Sequence, residues 1–373
     1  MMARVVAIAA VLVLVMSGCD IGPIRRVGPA PTPVQPAPNV TGQIFAEERS
    51  VLPVEPGMSV VRVDFADRFT GYALAIGCGV AYTPSGGPAQ MDNMECTGAL
   101  ASTADGGRTW VPLEHPHPVG TNHDMYAVDP RTVVVFTEDG GYYLSADGGY
   151  HFVKVTEPLL TAEIGLFCEP PPCGVFEFQP IGPARKLPHQ PGLPGDLSSI
   201  VVGPEGQLWA ASNLSGRPYT AMSPDGGQTW QRHDVLVPDG GRLWRVQLEI
   251  SADGDDVWLL GYKGEEPNDF PDVIWYHEPG GWAVREVGSH PTTGFVTPAG
   301  EQVLVAAGPG GMGVLDGGVA NGAYQKRPFW PRPPDFVTEL ADGTLVARSG
   351  ERLWLGAGEG SNRGWIEIIV TTP

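Results

Sequence analysis

Short stretches of alternating apolar and polar residues, separated by turn-forming residues, recur along the chain from residue 55 onward. Clear examples are VVRVDFAD (60–67), YALAIG (72–77) and TGALAST (97–103). Alternation with a period of two is typical of β-strands, because successive side chains point to opposite faces of a sheet. No long stretch has the spacing of an amphipathic helix. The pattern therefore predicts an all-β protein.

The predicted strands group into sets of four. Successive sets occupy 60–114, 124–155, 199–235, 244–287, 292–329 and 335–370. Four antiparallel strands per repeat are typical of a β-propeller blade. The stretch 157–195 either holds a degenerate set or forms an inserted loop. The spacing of the turns favours a propeller of seven blades, with six blades as the alternative.

Composition and charge support this fold and limit the classes of partner that the protein is expected to bind. The 373 residues are 42% hydrophobic, enough for a sizeable core, and they include 51 Gly and 38 Pro, which suit a protein with many turns. The formal net charge is −19. Such a charge excludes nucleic acid as the expected partner, because phosphates require a basic surface, and it disfavours broad adhesion to anionic membranes.

The N-terminal segment has the pattern of an export signal. Residues 1–18 contain a basic residue, a short apolar run and small residues, and they end before Cys19. MSGC (16–19) resembles the bacterial lipobox, which implies cleavage before Cys19 and acylation of its thiol; an ordinary signal peptide without lipid is the alternative. Residues 19–40 are rich in proline and suit an extended tether. We expect the propeller domain to span 41–373.

Export to an oxidising compartment explains the remaining cysteines. Once Cys19 is assigned to the lipid, four cysteines are left, which suggests two disulfides. Cys168 and Cys173 are close in sequence, so we predict that they pair, and Cys78 then pairs with Cys96. A site in which cysteines bind a metal is the rival interpretation, but the chain has no C-x-x-C spacing.

One turn sequence occurs three times, as STADGGRTW (102–110), SADGGYHF (145–152) and SPDGGQTW (223–230). These turns resemble the Asp-box, or BNR repeat, of sialidases, sortilin-like receptors and photosystem II assembly factors. The resemblance implies a propeller, and it implies a structural role for the matching residues. Those residues are Thr103, Asp105, Gly107, Trp110, Ser145, Asp147, Gly149, Phe152, Ser223, Asp225, Gly227 and Trp230.

The residue types of the turn explain why its role should be structural. A short Asp carboxylate can accept several backbone N–H groups of a tight turn, and glycine tolerates positive φ. The aromatic residue begins the next strand and covers the turn. We therefore expect no catalysis by these Asp residues.

Four other residues are candidates for a ligand-binding face. Arg62 and Arg245 lie in the first strands of two sets, where a guanidinium could bind a carboxylate ligand; ordinary ion pairs are the alternative. His123 and Asp124 belong to the connection EHPHPVGTNHD (114–124), which a propeller would place around its central channel. A metal site at His115, His117 and His123 is a further hypothesis for this connection, and incidental histidines in a surface loop are the simpler one.

The sequence favours a binding protein over an enzyme. The Arg-Ile-Pro signature of the sialidase relatives is absent from the chain. We therefore expect a monomeric scaffold, anchored by lipid on the extracytoplasmic face of a bacterial membrane, that binds a protein or glycan partner without a cofactor. The alternative is a sialidase-like glycoside hydrolase acting on acidic sugars.

Overall fold

A computed structural model describes most of the chain beyond residue 43. The described residues are 44–78, 96–155, 163–168, 172–178, 184–238, 241–266, 269–285, 293–309, 311–316, 324–327, 334–349, 352–361 and 363–373. The predicted signal peptide, Cys19 and the tether lie outside them. Within these ranges the regular structure consists of β-strands without an α-helix, which confirms the all-β prediction. No helix long and apolar enough to span a membrane occurs in this part of the chain.

The first half of the chain contributes three antiparallel sheets and one strand, β1 (Ile44–Val51), that joins a sheet of the second half. Sheet 1 contains β2 (Ser59–Phe65), β3 (Gly71–Cys78), β4 (Cys96–Thr103), β5 (Val111–Leu113) and, paired with β4, β6 (Val119–Gly120). Sheet 2 contains β7 (His123–Asp129), β8 (Thr132–Thr137), β9 (Gly141–Ser145) and β10 (Val153–Val155). Sheet 3 contains β11 (Glu163–Phe167), β12 (Gly174–Phe178) and β13 (Arg185–Lys186).

The second half continues the same up-and-down order. Sheet 4 contains β14 (Asp196–Val202), β15 (Leu208–Leu214), β16 (Arg217–Ser223) and β17 (Gln231–Asp234). Sheet 5 contains β18 (Arg245–Ile250), β19 (Val257–Tyr262), β20 (Val273–Glu278) and β21 (Gly281–Arg285). Sheet 6 contains β22 (Phe295–Pro298), β23 (Val303–Gly308), β24 (Gly311–Asp316) and β25 (Gln325–Arg327). Sheet 7 contains β26 (Phe336–Glu339), β27 (Leu345–Ser349), β28 (Arg352–Ala357) and β29 (Gly364–Thr371), and β1 pairs with β29.

The described residues thus form seven small sheets, and each predicted set of four corresponds to one of them. The stretch 157–195, which the sequence left open, contains the three-stranded sheet 3. The strand β1 was not predicted. It brings the N-terminal segment beside the C-terminal strand, where Leu52 N donates a hydrogen bond to Thr371 O at 2.8 Å.

Contacts divide the chain into two compact units. Unit 1 includes Leu159–Ser349 and Gly356–Trp365; unit 2 includes Phe45–Pro158, Gly350–Leu355 and Ile366–Pro373. In unit 2, Leu74, Met125 and Val135 belong to a fully buried cluster between sheets 1 and 2. In unit 1, similar clusters lie between sheets 3 and 4, 4 and 5, and 5 and 6. Within each unit, consecutive sheets therefore pack face to face, which buries their apolar side chains.

Candidate functional site

Two of the four candidate ligand residues meet in unit 2. Their strands β2 and β7 are the first strands of sheets 1 and 2 and lie side by side. The Ala127 N–H donates a hydrogen bond to Asp64 Oδ2 at 2.9 Å, which ties the two strands together. This arrangement brings Arg62 Nη1 to 3.7 Å from Asp124 Oδ1.

A tyrosine completes this group. Tyr126 follows Asp124 by two residues on β7, so both side chains project from the same face. The Tyr126 hydroxyl donates a hydrogen bond to Asp124 Oδ2 at 2.6 Å. The Arg62 guanidinium lies over the Tyr126 ring, with 5.1 Å between its central carbon and the ring centroid. Arg62, Asp124 and Tyr126 are called the Arg62 cluster below.

The Arg62 cluster is open to solvent. The side chains of Arg62 and Asp124 are 35% and 34% exposed, and Tyr126 is 40% exposed. The ion pair at 3.7 Å is longer than a charge-assisted hydrogen bond, and Arg62 Nε has no hydrogen-bond partner among the described residues. Because Arg62 Nε is buried, an incoming acceptor would meet the exposed part of the guanidinium, whose contact with Asp124 is the long ion pair.

Tyr126 is held in its neutral form. Burial raises the pKa of its phenol, and the hydrogen bond to Asp124 and the charge of that carboxylate raise it further, against a smaller opposing effect of Arg62. A phenol with a raised pKa is a poor nucleophile, because the phenolate form is rare at neutral pH. The cluster is thus better suited to binding than to attack on a substrate.

His123 does not belong to the Arg62 cluster. On β7 it precedes Asp124 by one residue, and its ring packs edge-on against buried His115, with 5.1 Å between the ring centroids. His123 Nε2 lies 3.3 Å from Cys96 O and 3.2 Å from Gly120 O, and because carbonyl oxygens only accept, this nitrogen is the donor in both contacts.

The three-histidine metal hypothesis is not supported. The ring of His117 stacks on Tyr143, with 6.1 Å between centroids, and only its backbone N–H reaches His115, at 3.1 Å from Nδ1. Across the described ranges, no three or more His, Cys, Asp or Glu side chains form a group that could hold a metal ion. Burial lowers the pKa of His115 to about 4, and the neighbouring His123 and His117 lower it as well.

Arg245 belongs to unit 1, where it lies on β18. Its guanidinium carbon is 3.8 Å from the centroid of the buried Tyr262 ring, which occupies the paired position on β19. Burial raises the pKa of Tyr262, so the phenol is neutral and its ring makes a cation–π contact with the Arg245 guanidinium. The structure therefore gives Arg245 an aromatic partner that the sequence analysis did not identify.

The DGG turn of sheet 1 is closed by its own hydrogen bonds. Asp105 Oδ1 accepts from Thr103 Oγ1 at 2.8 Å and from the N–H groups of Arg108 and Thr109, both at 3.0 Å. Thr103 Oγ1 accepts from Gly107 N at 2.9 Å, and Gly107 has a φ of +87°. The carboxylate and the hydroxyl thus stabilise a backbone conformation that favours glycine.

The other two DGG turns have the same arrangement. Asp147 Oδ1 and Asp225 Oδ1 each accept from a serine hydroxyl at 2.8 Å, donated by Ser145 and Ser223 respectively. Thr229 donates its hydroxyl to Asp225 Oδ2 at 2.6 Å, and its hydrogen bonds lower the pKa of that carboxyl to about 2. These carboxylates are ionised acceptors within their own turns, an arrangement that favours a structural role.

The aromatic residues after the turns connect neighbouring segments. Trp110 Nε1 donates to Ser50 Oγ at 3.0 Å, and Trp230 Nε1 donates to His189 O at 3.1 Å. Phe152 packs against the apolar cluster between sheets 1 and 2. Each indole N–H therefore ties a second stretch of chain to the segment that follows its turn, and Phe152 contributes to the core.

Both predicted disulfides are present. Cys78 and Cys96 are paired residues on β3 and β4, with 4.2 Å between their Cα atoms. Cys168 and Cys173 are linked beside sheet 3, with 3.9 Å between their Cα atoms. The insertion enclosed by the first disulfide, residues 79–95, lies outside the described residues.

Comparisons with known proteins find similar structures but no sequence family. No family model matches the chain, and the search of curated proteins gives no significant match. Similar solved structures include YCF48 from Cyanidioschyzon merolae, with 12% identity over 79% of this chain and 94% of that chain, at a TM-score of 0.32. TolB from Acinetobacter baumannii has 13% identity over 80% of this chain and 82% of its own, at a TM-score of 0.34. YCF48 bound to D1 peptide has 14% identity over 85% and 93%, at a TM-score of 0.30. These values assign neither a family nor a function.

Proposed function

We propose that this protein is a lipid-anchored β-propeller on the extracytoplasmic face of a bacterial cell membrane, and that it binds a protein or glycan partner as a scaffold. Seven small sheets in the described residues, with consecutive sheets packed face to face within each unit, suit the blades of a seven-bladed propeller. The lipobox-like MSGC and the proline-rich tether are the grounds for the anchor.

The Arg62 cluster carries the proposal for binding. A third of the Arg62 side chain is exposed, its carboxylate neighbour lies at 3.7 Å from Nη1, and its buried Nε has no hydrogen-bond partner among the described residues. Arginine forms paired hydrogen bonds with carboxylates, and tyrosine and arginine are enriched where binding energy concentrates. The partner group that fits Arg62 is therefore a carboxylate, on either an acidic side chain or an acidic sugar.

Capture from native membranes tests this proposal. The full lipoprotein and its Arg62→Gln variant are crosslinked and purified from membranes of the producing organism. We expect the wild type to retain a partner that Arg62→Gln loses. Arg131→Gln, which removes an exposed arginine elsewhere in unit 2, should retain that partner. Equal capture by all three proteins, or no capture by any, would contradict a binding role for the cluster.

The sialidase-like alternative has one observation in its favour, the hydrogen-bonded pair of Tyr126 and Asp124 beside an arginine. The raised pKa of Tyr126 argues against it, because this phenol would have to lose its proton to attack a sugar. The direct test is hydrolysis of a fluorogenic sialoside by the full lipoprotein. Turnover that disappears in Tyr126→Phe would establish the hydrolase, and we expect none above the buffer rate.

A further inference from the structure

A second exposed group of residues occurs in unit 1, at one end of sheets 4 and 5. Trp244, immediately before β18, is 59% exposed, and Leu214, at the end of β15, is 44% exposed. Arg217, Arg242 and Lys263 are also exposed. These five residues are called the Trp244 patch below.

Backbone contacts bring the segments of the Trp244 patch together. Leu243 N donates to Gly216 O at 3.1 Å, and Trp244 N donates to Tyr262 O at 2.6 Å. Asn213 Nδ2 donates to Leu243 O at 2.9 Å and to Trp244 O at 3.0 Å. The segments 213–217, 242–245 and 262–263 are therefore neighbours.

The backbone around the exposed indole is fixed. The Asn213 amide donates a hydrogen bond to the carbonyl of Trp244, and the carbonyl of Tyr262 accepts one from the Trp244 N–H. The next side chain, Arg245, lies against the Tyr262 ring. An exposed single hydrophobic residue is ordinary, but an exposed indole on a fixed backbone, with a second exposed apolar residue on a neighbouring segment, forms a prearranged contact surface. Binding there requires little ordering of the main chain.

The charged residues of the Trp244 patch indicate whether its ligand is anionic or cationic. Arg217, Arg242 and Lys263 form no ion pair with another described residue, although the whole chain carries a net charge of −19. One carboxylate also lies beside the patch, because Asp272 Oδ2 accepts the backbone N–H of Lys263 at 2.7 Å. Cations that have no ion pair to a described residue, on neighbouring segments of an acidic protein, favour an anionic ligand.

We propose that the Trp244 patch binds an acidic peptide segment of a partner protein, with an apolar side chain of that segment against Trp244 and Leu214 and its carboxylates on the cations. Tryptophan and arginine are the side chains most enriched at the centres of protein interfaces, and arginine clusters recognise acidic motifs. The aliphatic Leu214 on the segment next to Trp244 suits an apolar side chain better than a sugar. An anionic bilayer is disfavoured, because the net charge of the chain repels it.

Selection from a displayed library of random dodecapeptides on the full-length protein in detergent tests this inference. We expect peptides enriched in Asp and Glu together with large apolar residues. Their affinity should fall at least about tenfold in Trp244→Ala and in the double variant Arg217→Gln/Arg242→Gln. Tyr150→Ala, which removes an aromatic ring that is 69% exposed, and Arg131→Gln are the matched controls and should bind unchanged. Arg62→Gln should also bind unchanged, which separates this surface from the Arg62 cluster.

Charge reversal gives the second readout. In Arg217→Glu/Arg242→Glu, which leaves Lys263 as the only cation of the Trp244 patch, the peptides selected should shift from acidic to basic, a result that misfolding would not produce. The inference is wrong if no peptide is enriched, if the enriched peptides lack acidic residues, or if their binding is insensitive to Trp244. It is also wrong if polygalacturonate or phosphatidylglycerol vesicles bind in a manner that depends on Trp244 and no peptide does, since the ligand would then be a saccharide or a lipid surface.

Discussion

At the residue scale, Thr103, Ser145 and Ser223 occupy the same position in the three DGG turns. Each hydroxyl accepts a hydrogen bond from a buried glycine N–H, at 2.9 Å from Gly107, 2.8 Å from Gly149 and 2.7 Å from Gly227. A buried N–H without an acceptor lowers the stability of the fold, so we expect the turn to be most sensitive to the loss of this hydroxyl.

Thr103→Val removes that acceptor and keeps the shape of the side chain. We expect the free energy of unfolding to fall by about 1–3 kcal/mol, because the Gly107 N–H is left buried and unpaired. Thr103→Ser retains the hydroxyl and should cost less than about 1 kcal/mol. Urea unfolding of the two variants gives the comparison, and equal losses would show that the hydroxyl does not stabilise the turn.

His115 makes stability depend on pH. Its pKa is lowered from 6.5 to about 4 in the folded state, mainly by burial, so the unfolded chain binds the proton more readily between these values. Stability is therefore lost as the pH falls through this window, by about 2–3 kcal/mol between about pH 7 and pH 4.5 for this one group. His115→Gln should flatten the pH dependence of unfolding by about that amount. An unchanged slope would show that His115 is protonated freely in the folded protein.

The sequence predicted part of this residue-scale detail. It identified the DGG turns and both disulfides, because turn chemistry and cysteine number are local properties. Tyr126 was missed, although its position two residues from Asp124 on a strand places both on one face. The contact between Arg245 and Tyr262 depends on the register of β18 and β19, which the alternation of single strands does not determine.

At the element scale, the predicted sets of strands match the observed sheets, while β1 was missed. Its sequence, IFAEERSV, is charged in the middle and shows little alternation, and its pairing with β29 joins residues from opposite ends of the chain. Such a pairing leaves no signal in the local pattern. It covers an edge of β29 that would otherwise expose unpaired backbone groups.

Substitution of Leu52, which directly follows β1, tests how much the docking of this N-terminal segment stabilises the fold. Its side chain is 1% exposed, whereas the adjacent Val51 is 58% exposed. Leu52→Ala should lower the free energy of unfolding by about 2–4 kcal/mol through the lost burial and the cavity left behind. Val51→Ala should change it by less than about 0.5 kcal/mol. Similar effects of the two substitutions, measured by urea unfolding, would contradict the docking of this segment.

At the scale of the whole molecule, the proposal combines a set of small β-sheets, an acyl anchor and a tether. Acyl chains on Cys19 would hold the protein at the membrane, because each buried methylene adds about 0.8 kcal/mol. Cys19→Ala should therefore move the protein from the membrane fraction to the soluble fraction and abolish labelling by a clickable fatty acid. Membrane retention without labelling would show that the anchor is not the lipid.

The most direct test of the binding face is site-specific photocrosslinking in native membranes. A photoreactive phenylalanine analogue replaces Tyr126 in the full lipoprotein, and a second protein carries it at the exposed Tyr150. The account predicts a discrete adduct from position 126 that is absent from position 150 and is lost when Arg62→Gln is added. Absence of an adduct at 126, or the same adducts at both positions, would contradict the assignment of the Arg62 cluster as the binding face.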